Sequence, residues 1–189
     1  MELLSGILTL VSYLQFGLSQ RFLFYMPFMY AIIVIGMIDL RIQVIPNKIL
    51  MFLLLFGIIL NILLKAVSWN EILLGLFVSG LAMLLIKWAA SWFLQKEGLG
   101  TGDVKLSALI GFFLGWKLFF MALFIASSIA LLIVLFMKFV FGKNEDKWGR
   151  GVNTQQIPFA PFLGFGAIVS LFAGLPIWEW YLSVFWEPF

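Results

Sequence analysis

The chain has 189 residues, of which 63% are hydrophobic and only 11% are charged, and its mean hydropathy is +1.11. A soluble domain has about 45–50% apolar and about 25% charged residues, so this composition indicates a polytopic membrane protein. The chain has no Cys and no His, which excludes disulfides, Cys nucleophiles, His general bases and zinc held by those residues. The formal net charge of +3 requires no nucleic-acid partner.

Seven apolar segments predict an all-α transmembrane helix bundle of about six to seven spans, since one span needs about 20 residues. The second segment is interrupted by Pro27, and the fifth is too short to span alone and is expected to recruit the glycine stretch before it. In chain order the segments are Leu3–Phe16, Phe22–Ile38, Ile45–Leu64, Ile72–Leu94, Val104–Trp116, Leu118–Phe141 and Ile157 to about Phe185.

The basic residues are distributed unequally over the two sets of connections between segments. An excess of Lys and Arg marks the cytoplasmic side, so the N-terminus is predicted inside and the C-terminus outside. The smaller set holds Arg21, Lys65 and Lys117, and the larger set holds Arg41, Lys48, Lys87, Lys96, Lys105, Lys138, Lys143, Lys147 and Arg150. On this count, both Asp39 and Asp103 lie at the cytoplasmic face.

Asp39 and Asp103 are the candidate functional residues of the chain. Each lies where an apolar segment meets a connection, and ionisable groups at membrane depth are costly enough to suggest function. Two carboxylates that meet can share one proton and activate water for peptide hydrolysis.

The glycines before Asp103 have a functional and a structural interpretation. Gly98, Gly100 and Gly102 alternate, which would expose bare backbone that an extended peptide could pair with. Alternatively this stretch is an ordinary turn in which Asp103 caps the fifth helix. Capping and catalysis are compatible. Glu97 would face a basic peptide in the first case and be solvated in the second.

The residues around Asp39 also have a functional and a structural interpretation. Asp39 could be a solvated acid paired with Arg41, although the helix macrodipole disfavours an acid near a helix C-terminus. Pro46 and Asn47 are predicted to begin the third helix, with Asn47 as a possible N-cap. They are expected to fix the geometry of this helix start and not to take part in chemistry.

Two further residues lie just after Asp103. Lys105 is expected to neutralise nearby carboxylates or to extend to the interface. A Ser107–Lys105 dyad is conceivable, but Ser is common in packed membrane helices, which favours packing.

Four motifs together resemble the type IV prepilin peptidases, which are membrane aspartic proteases of the GxGD type. Glu97-Gly98-Leu99-Gly100-Thr101-Gly102-Asp103-Val104-Lys105-Leu106 resembles their second aspartate motif, and the stretch from Asp39 to Asn47 resembles the first. Glu2–Gly6 is similar to the start of their catalytic core and Ile157–Phe162 to the entry of their last helix. The four matches cover nearly the whole chain in the family's order.

The resemblance implies that residues 1–189 form one integral-membrane aspartic peptidase domain in the bacterial inner membrane, with its active site facing the cytoplasm. It would remove the basic leader of type IV prepilins or pseudopilins at a Gly|Phe-type junction, with Asp39 and Asp103 as the catalytic pair. No cofactor, metal or nucleic acid is expected, and the partners are the substrate and the lipid bilayer. The expected substrate-binding or supporting residues are Glu97, Gly98, Gly100, Gly102, Lys105, Pro46 and Asn47.

The chain departs from the family's long form, which carries an N-terminal span and a cytoplasmic domain with Cys pairs. N-methylation of the new terminus is therefore not expected; a short peptidase-only form and a piece of a longer chain remain alternatives. The presenilin group shares GxGD, but its first aspartate follows Tyr and here Ile38 precedes Asp39. Cleavage at the membrane edge is therefore favoured over cleavage inside a span.

Two other functional classes compete with the enzyme. In a small transporter or ion pathway, Asp39 and Asp103 would bind a cation or relay protons, but such acids usually lie near mid-span. In a scaffold subunit of a secretion system, the two aspartates would only cap helices.

Overall fold

The computed structural model describes residues 2–94, 100–141 and 158–185, all of the regular structure in these ranges being α-helical. This confirms the predicted all-α membrane bundle. The helices are α1 (Glu2–Phe16), α2 (Gln20–Ile42), α3 (Asn47–Leu64), α4 (Trp69–Leu94), α5 (Thr101–Phe141) and α6 (Ala160–Phe185). Four of them, α2 to α5, are long and apolar enough to cross a membrane, and α1 and α6 contain shorter apolar stretches.

Helices α1 and α2 form a hairpin, and the residues of the turn explain why α1 ends and α2 begins there. Gly17 adopts a left-handed conformation with φ of +57° and ends α1, and the Ser19 hydroxyl accepts a hydrogen bond from the Phe22 N–H at the start of α2. Pro27 was expected to interrupt the second segment, but α2 continues through it. Backbone freed by Pro is tolerated in membrane helices because neighbouring groups can satisfy it.

Helix α5 is broken at Gly115, whose φ of 79° and ψ of 166° are not helical. The break falls inside the predicted fifth segment, one residue before its end at Trp116, so α5 consists of two arms that correspond closely to the fifth and sixth predicted segments. The first arm begins at Thr101, inside the glycine stretch, as expected for a segment too short by itself. At its far end, the Phe113 ring packs on Phe24 and Phe28, with centroid distances of 5.0 and 4.7 Å.

The second arm of α5 runs back along α6. Gly174 lies against Leu118 near the start of this arm, and Gly166 lies against the Ala122 backbone further along it. Since α6 starts at Ala160, the second arm returns toward the end of the bundle where α6 begins. The chain therefore reverses at Gly115.

Small residues allow α4 and the first arm of α5 to approach closely. A Cβ at Gly75 would collide with the Gly111 carbonyl, and a Cβ at Gly111 would collide with the Ser79 hydroxyl. Such small-residue contacts are typical of membrane helices, which associate by close packing. The outer surface stays apolar; Leu63, for example, is 72% exposed, which suits contact with lipid.

Candidate active site

Asp39 lies in the last turn of α2 and is buried, with only 5% of its surface exposed. Its Oδ2 accepts a hydrogen bond of 3.2 Å from the backbone N–H of Ala160, the first residue of α6. Gly36, one turn before Asp39, faces Pro161 at the same junction; a Cβ there would lie 3.4 Å from the Pro161 Cα. Asp39 is therefore not the solvated acid of the alternative interpretation. The N-terminus of α6 favours the negative charge that the C-terminus of α2 disfavours.

Asp103 is in the first turn of α5 and is partly buried. Its Oδ2 accepts a hydrogen bond of 3.2 Å from the Gly100 N–H just before the helix. A carboxylate that reaches back from the first turn in this way stabilises the start of a helix. Asp103 is thus not the N-cap that the alternative interpretation predicted, but a residue of the first turn that stabilises the helix start, and its carboxylate lies at the same end of the bundle as Asp39.

The two aspartates come from different helices but are close enough for the Asp39 charge to act on Asp103. The connection after α2 fits this arrangement: Ile45 is buried and packs on Gly102 in the first turn of α5. A Cβ at Gly102 would lie 2.9 Å from the Ile45 Cβ, so only glycine fits here without displacement. The helix starts of α3, α5 and α6 and the end of α2 thus meet in one place.

Asn47 is the first residue of α3 and not its N-cap, which is Pro46. The Pro46 carbonyl accepts a hydrogen bond of 3.3 Å from the Leu50 N–H, so the entry role predicted for Pro46 fits the structure. The Asn47 side chain instead turns toward α5, where its Oδ1 accepts a hydrogen bond of 2.9 Å from Lys105 Nζ. The prediction of an Asn47 cap was wrong because proline already occupies the cap position.

The Ser107–Lys105 alternative does not fit the structure. Ser107 is fully buried and its Oγ has no hydrogen-bond partner within the described ranges, whereas Lys105 is exposed and bonded to Asn47. Lys87 on α4 also acts electrostatically on Asp103. It is one of several basic residues at this end of the bundle, and the sequence pattern does not distinguish it from the others.

The bare backbone ribbon is not continuous. Gly102 is helical and packed on Ile45, so it cannot form part of an extended edge. Gly100 is exposed and nonhelical, and Glu97 and Gly98 lie outside the described residues. Among the residues that the structure describes, no cluster of three metal-ligating side chains is found.

Comparison with known proteins gives one family. The sequence model of the type IV leader peptidase family matches residues 26–135, which include Asp39 and Asp103. The chain is 31% identical to the prepilin leader peptidase/N-methyltransferase of Bacillus subtilis over 97% of this chain and 68% of that protein.

Proteins with the same name in Aeromonas salmonicida and Legionella pneumophila are 28% and 30% identical, over 96% of this chain in both cases. The chain spans 60% and 61% of the lengths of these two relatives. No solved structure matches the chain. The family match covers more than half of the sequence, and the chain belongs to the type IV leader peptidase family.

Proposed function

We propose that the protein is a membrane aspartic endopeptidase that removes the basic leader from type IV prepilins or pseudopilins at a Gly|Phe-type junction. Asp39 and Asp103 are its catalytic pair. The observation that carries this proposal is the convergence of two carboxylates from different helices at one end of a membrane bundle, near enough to interact electrostatically. Membership of a leader peptidase family and the names of the relatives support the same substrate class.

The proposed chemistry uses the two aspartates as a general acid and a general base. One carboxylate takes a proton from water as the water oxygen attacks the scissile carbonyl carbon. The other, protonated, donates its proton to the carbonyl oxygen, which gives a tetrahedral diol. The carboxyl that took the proton from water then donates it to the amide nitrogen, while the other carboxylate takes a proton back from one hydroxyl of the diol. The C–N bond breaks, which releases the leader as a carboxylic acid and the mature chain as an amine and restores both aspartates.

The hydrogen bonds at the site suit this chemistry. Backbone N–H groups hold Oδ2 of Asp39 and Oδ2 of Asp103, so each carboxylate is oriented by main chain from a helix start. Fixed backbone donors position a catalytic group without the entropy cost of ordering a flexible side chain. Gly100 also offers exposed, side-chain-free backbone beside Asp103, where an extended substrate can lie.

The proposed setting is the bacterial inner membrane with the aspartates facing the cytoplasm. The basic residues support this orientation: Arg41, Lys48 and Lys105 lie at the aspartate end of the described bundle, whereas Arg21 and Lys65 lie at the other end. An excess of basic residues marks the cytoplasmic side.

The direct test is incubation of the purified protein in detergent with a prepilin, followed by mass measurement of the product. The expected product lacks the leader and begins after the glycine of the junction, and the same mass reports whether a methyl group has been added. An unchanged substrate mass would overturn the peptidase assignment.

A further inference from the structure

A polar contact joins the starts of α3 and α5 beside the two aspartates. Lys105 lies two residues after Asp103, and its Nζ donates a hydrogen bond of 2.9 Å to Oδ1 of Asn47. Asn47 opens α3, which follows the Asp39-bearing helix after a short connection. The contact therefore links α5, which carries Asp103, to α3, which follows the helix that carries Asp39.

The same two segments also meet through an apolar contact. Ile45 packs against Gly102, which directly precedes Asp103. The Ile45–Gly102 contact sets how closely the two segments approach. A contact between one side chain and bare backbone, however, does little to prevent one segment from sliding along the other. The Lys105–Asn47 hydrogen bond has a preferred distance and direction, and it supplies the restraint that the apolar contact lacks.

Within the described residues, the Lys105 side chain bonds to α3 and to neither aspartate. It is exposed, and its Nζ lies 2.9 Å from Oδ1 of Asn47. This geometry favours a mechanical role, in which Lys105 joins the start of α5 to the start of α3.

We propose that Lys105 and Asn47 are positioning residues that hold Asp103 at the distance from Asp39 needed for catalysis. This inference rests on the proposed peptidase function. Misplacement of reacting groups by about 1 Å can lower a rate about a hundredfold, so an exposed hydrogen bond can matter for turnover while adding little stability.

Removal of either partner tests the pair. Lys105→Met and Asn47→Leu are each expected to lower kcat about tenfold and to change KM less than about twofold, since alignment and not binding is lost. The double variant is expected to be no slower than either single variant, because residues that act through one contact are not additive. Lys48→Met is the matched control: it removes an exposed lysine next to Asn47 and is expected to leave kcat unchanged. Additive losses, or an equal loss in the control, would overturn the proposal.

A reciprocal exchange separates positioning from contact with substrate. In Asn47→Lys combined with Lys105→Asn, the donor and acceptor change sides and the same hydrogen bond can form. Recovery of kcat to within about threefold of the parent is expected if the contact only positions. If the exchange variant stays as slow as Lys105→Met while remaining folded, Lys105 acts on substrate and the proposal fails.

A distance measurement tests the inference without peptidase activity. The chain has no Cys, so spin labels can be attached at Val44→Cys and Thr101→Cys, both exposed and on the two joined segments. The label-to-label distance distribution is expected to be narrow in the parent and to broaden in Lys105→Met. An unchanged distribution would overturn the positioning role. Failure of the prepilin assay with a broadened distribution would instead overturn only the proposed function.

Discussion

Asp39 and Ala160 are separated by 121 positions in the sequence, yet the Ala160 N–H donates a hydrogen bond of 3.2 Å to Oδ2 of Asp39. The contact brings the first turn of α6 onto the last turn of α2. A carboxylate at the C-terminal end of a helix is electrostatically unfavourable, and the N-terminal end of a second helix offsets this cost. The start of the last helix is therefore part of the candidate active site.

Ala160→Pro is expected to lower peptidase activity while the bundle still folds. Proline lacks the N–H that holds Asp39, but it is well tolerated at the first position of a helix. Hydrogen bonds to charged groups contribute about 1.5–3 kcal/mol, which corresponds to a loss of about 10- to 100-fold in the rate of leader removal. The measurement is the rate of appearance of the shortened product by mass spectrometry.

Ala160→Gly is the control for this substitution, because it removes the side chain and keeps the N–H. Its activity should stay within about threefold of the parent, since the hydrogen bond is retained. Equal activity of the proline and glycine variants would show that the Ala160 N–H is not needed at Asp39.

Asp39→Asn and Asp103→Asn are each expected to abolish leader removal. Asparagine has nearly the same shape, and its carbonyl oxygen can still accept the backbone hydrogen bonds from Ala160 and Gly100, so insertion and folding should be preserved. It cannot act as an acid or a base, and loss of such a group lowers rates about 10²- to 10⁴-fold. The assay is the mass of a prepilin after incubation with each variant in detergent.

Glu71→Gln provides the matched control. Glu71 is an exposed acid in the first turn of α4, at the opposite end of the bundle from the aspartates. The Glu71→Gln variant should process the substrate at the parent rate. Full processing by either aspartate variant would show that this aspartate is not a catalytic residue.

The helical segments were predictable because long apolar runs carry a strong signal, and the boundaries moved by only a few residues. The break at Gly115 lies two residues before the predicted boundary at Lys117, inside the predicted fifth segment. Asp39 and Asp103 could be singled out since acids are rare in apolar sequence, although their catalytic roles stay predictions.

The partners of the candidate residues could not be predicted from the sequence. The contacts of Ala160 with Asp39 and of Lys105 with Asn47 join distant segments, and sequence periodicity does not specify which helix faces which. Asn61 is a similar case. Its side-chain amide accepts a hydrogen bond from the Val67 N–H and donates one to the Val67 carbonyl, and the apolar sequence around Asn61 does not predict these bonds.

Gly102→Ala is expected to lower activity more than it lowers stability. The added methyl would lie 2.9 Å from the Ile45 Cβ and would push the connection after α2 away from α5. Overpacking costs about 1–3 kcal/mol, and the higher helix propensity of Ala returns about 1 kcal/mol of this. The displacement itself falls beside Asp103, so we expect the loss in kcat to exceed the loss in thermal stability.

The double variant Gly102→Ala with Ile45→Ala makes room for the new methyl and should recover part of the lost kcat. Gly6→Ala in α1 is a control for helix propensity alone, since a Cβ there meets no atom within 4 Å. If Ile45→Ala gives no recovery, the effect of Gly102→Ala does not arise from this contact.

Gly115→Asn is expected to destabilise the bundle by about 1–3 kcal/mol, because a backbone with φ of 79° and ψ of 166° is in a region that only glycine occupies readily. A Cβ at Gly115 would meet no atom within 4 Å, so the cost comes from the backbone alone. Gly17→Asn is the matched control: the space there is equally open, but its φ of +57° is one that Asn tolerates. Thermal unfolding in detergent should show a lower midpoint for Gly115→Asn than for Gly17→Asn. Equal midpoints would mean that the reversal of α5 does not depend on glycine.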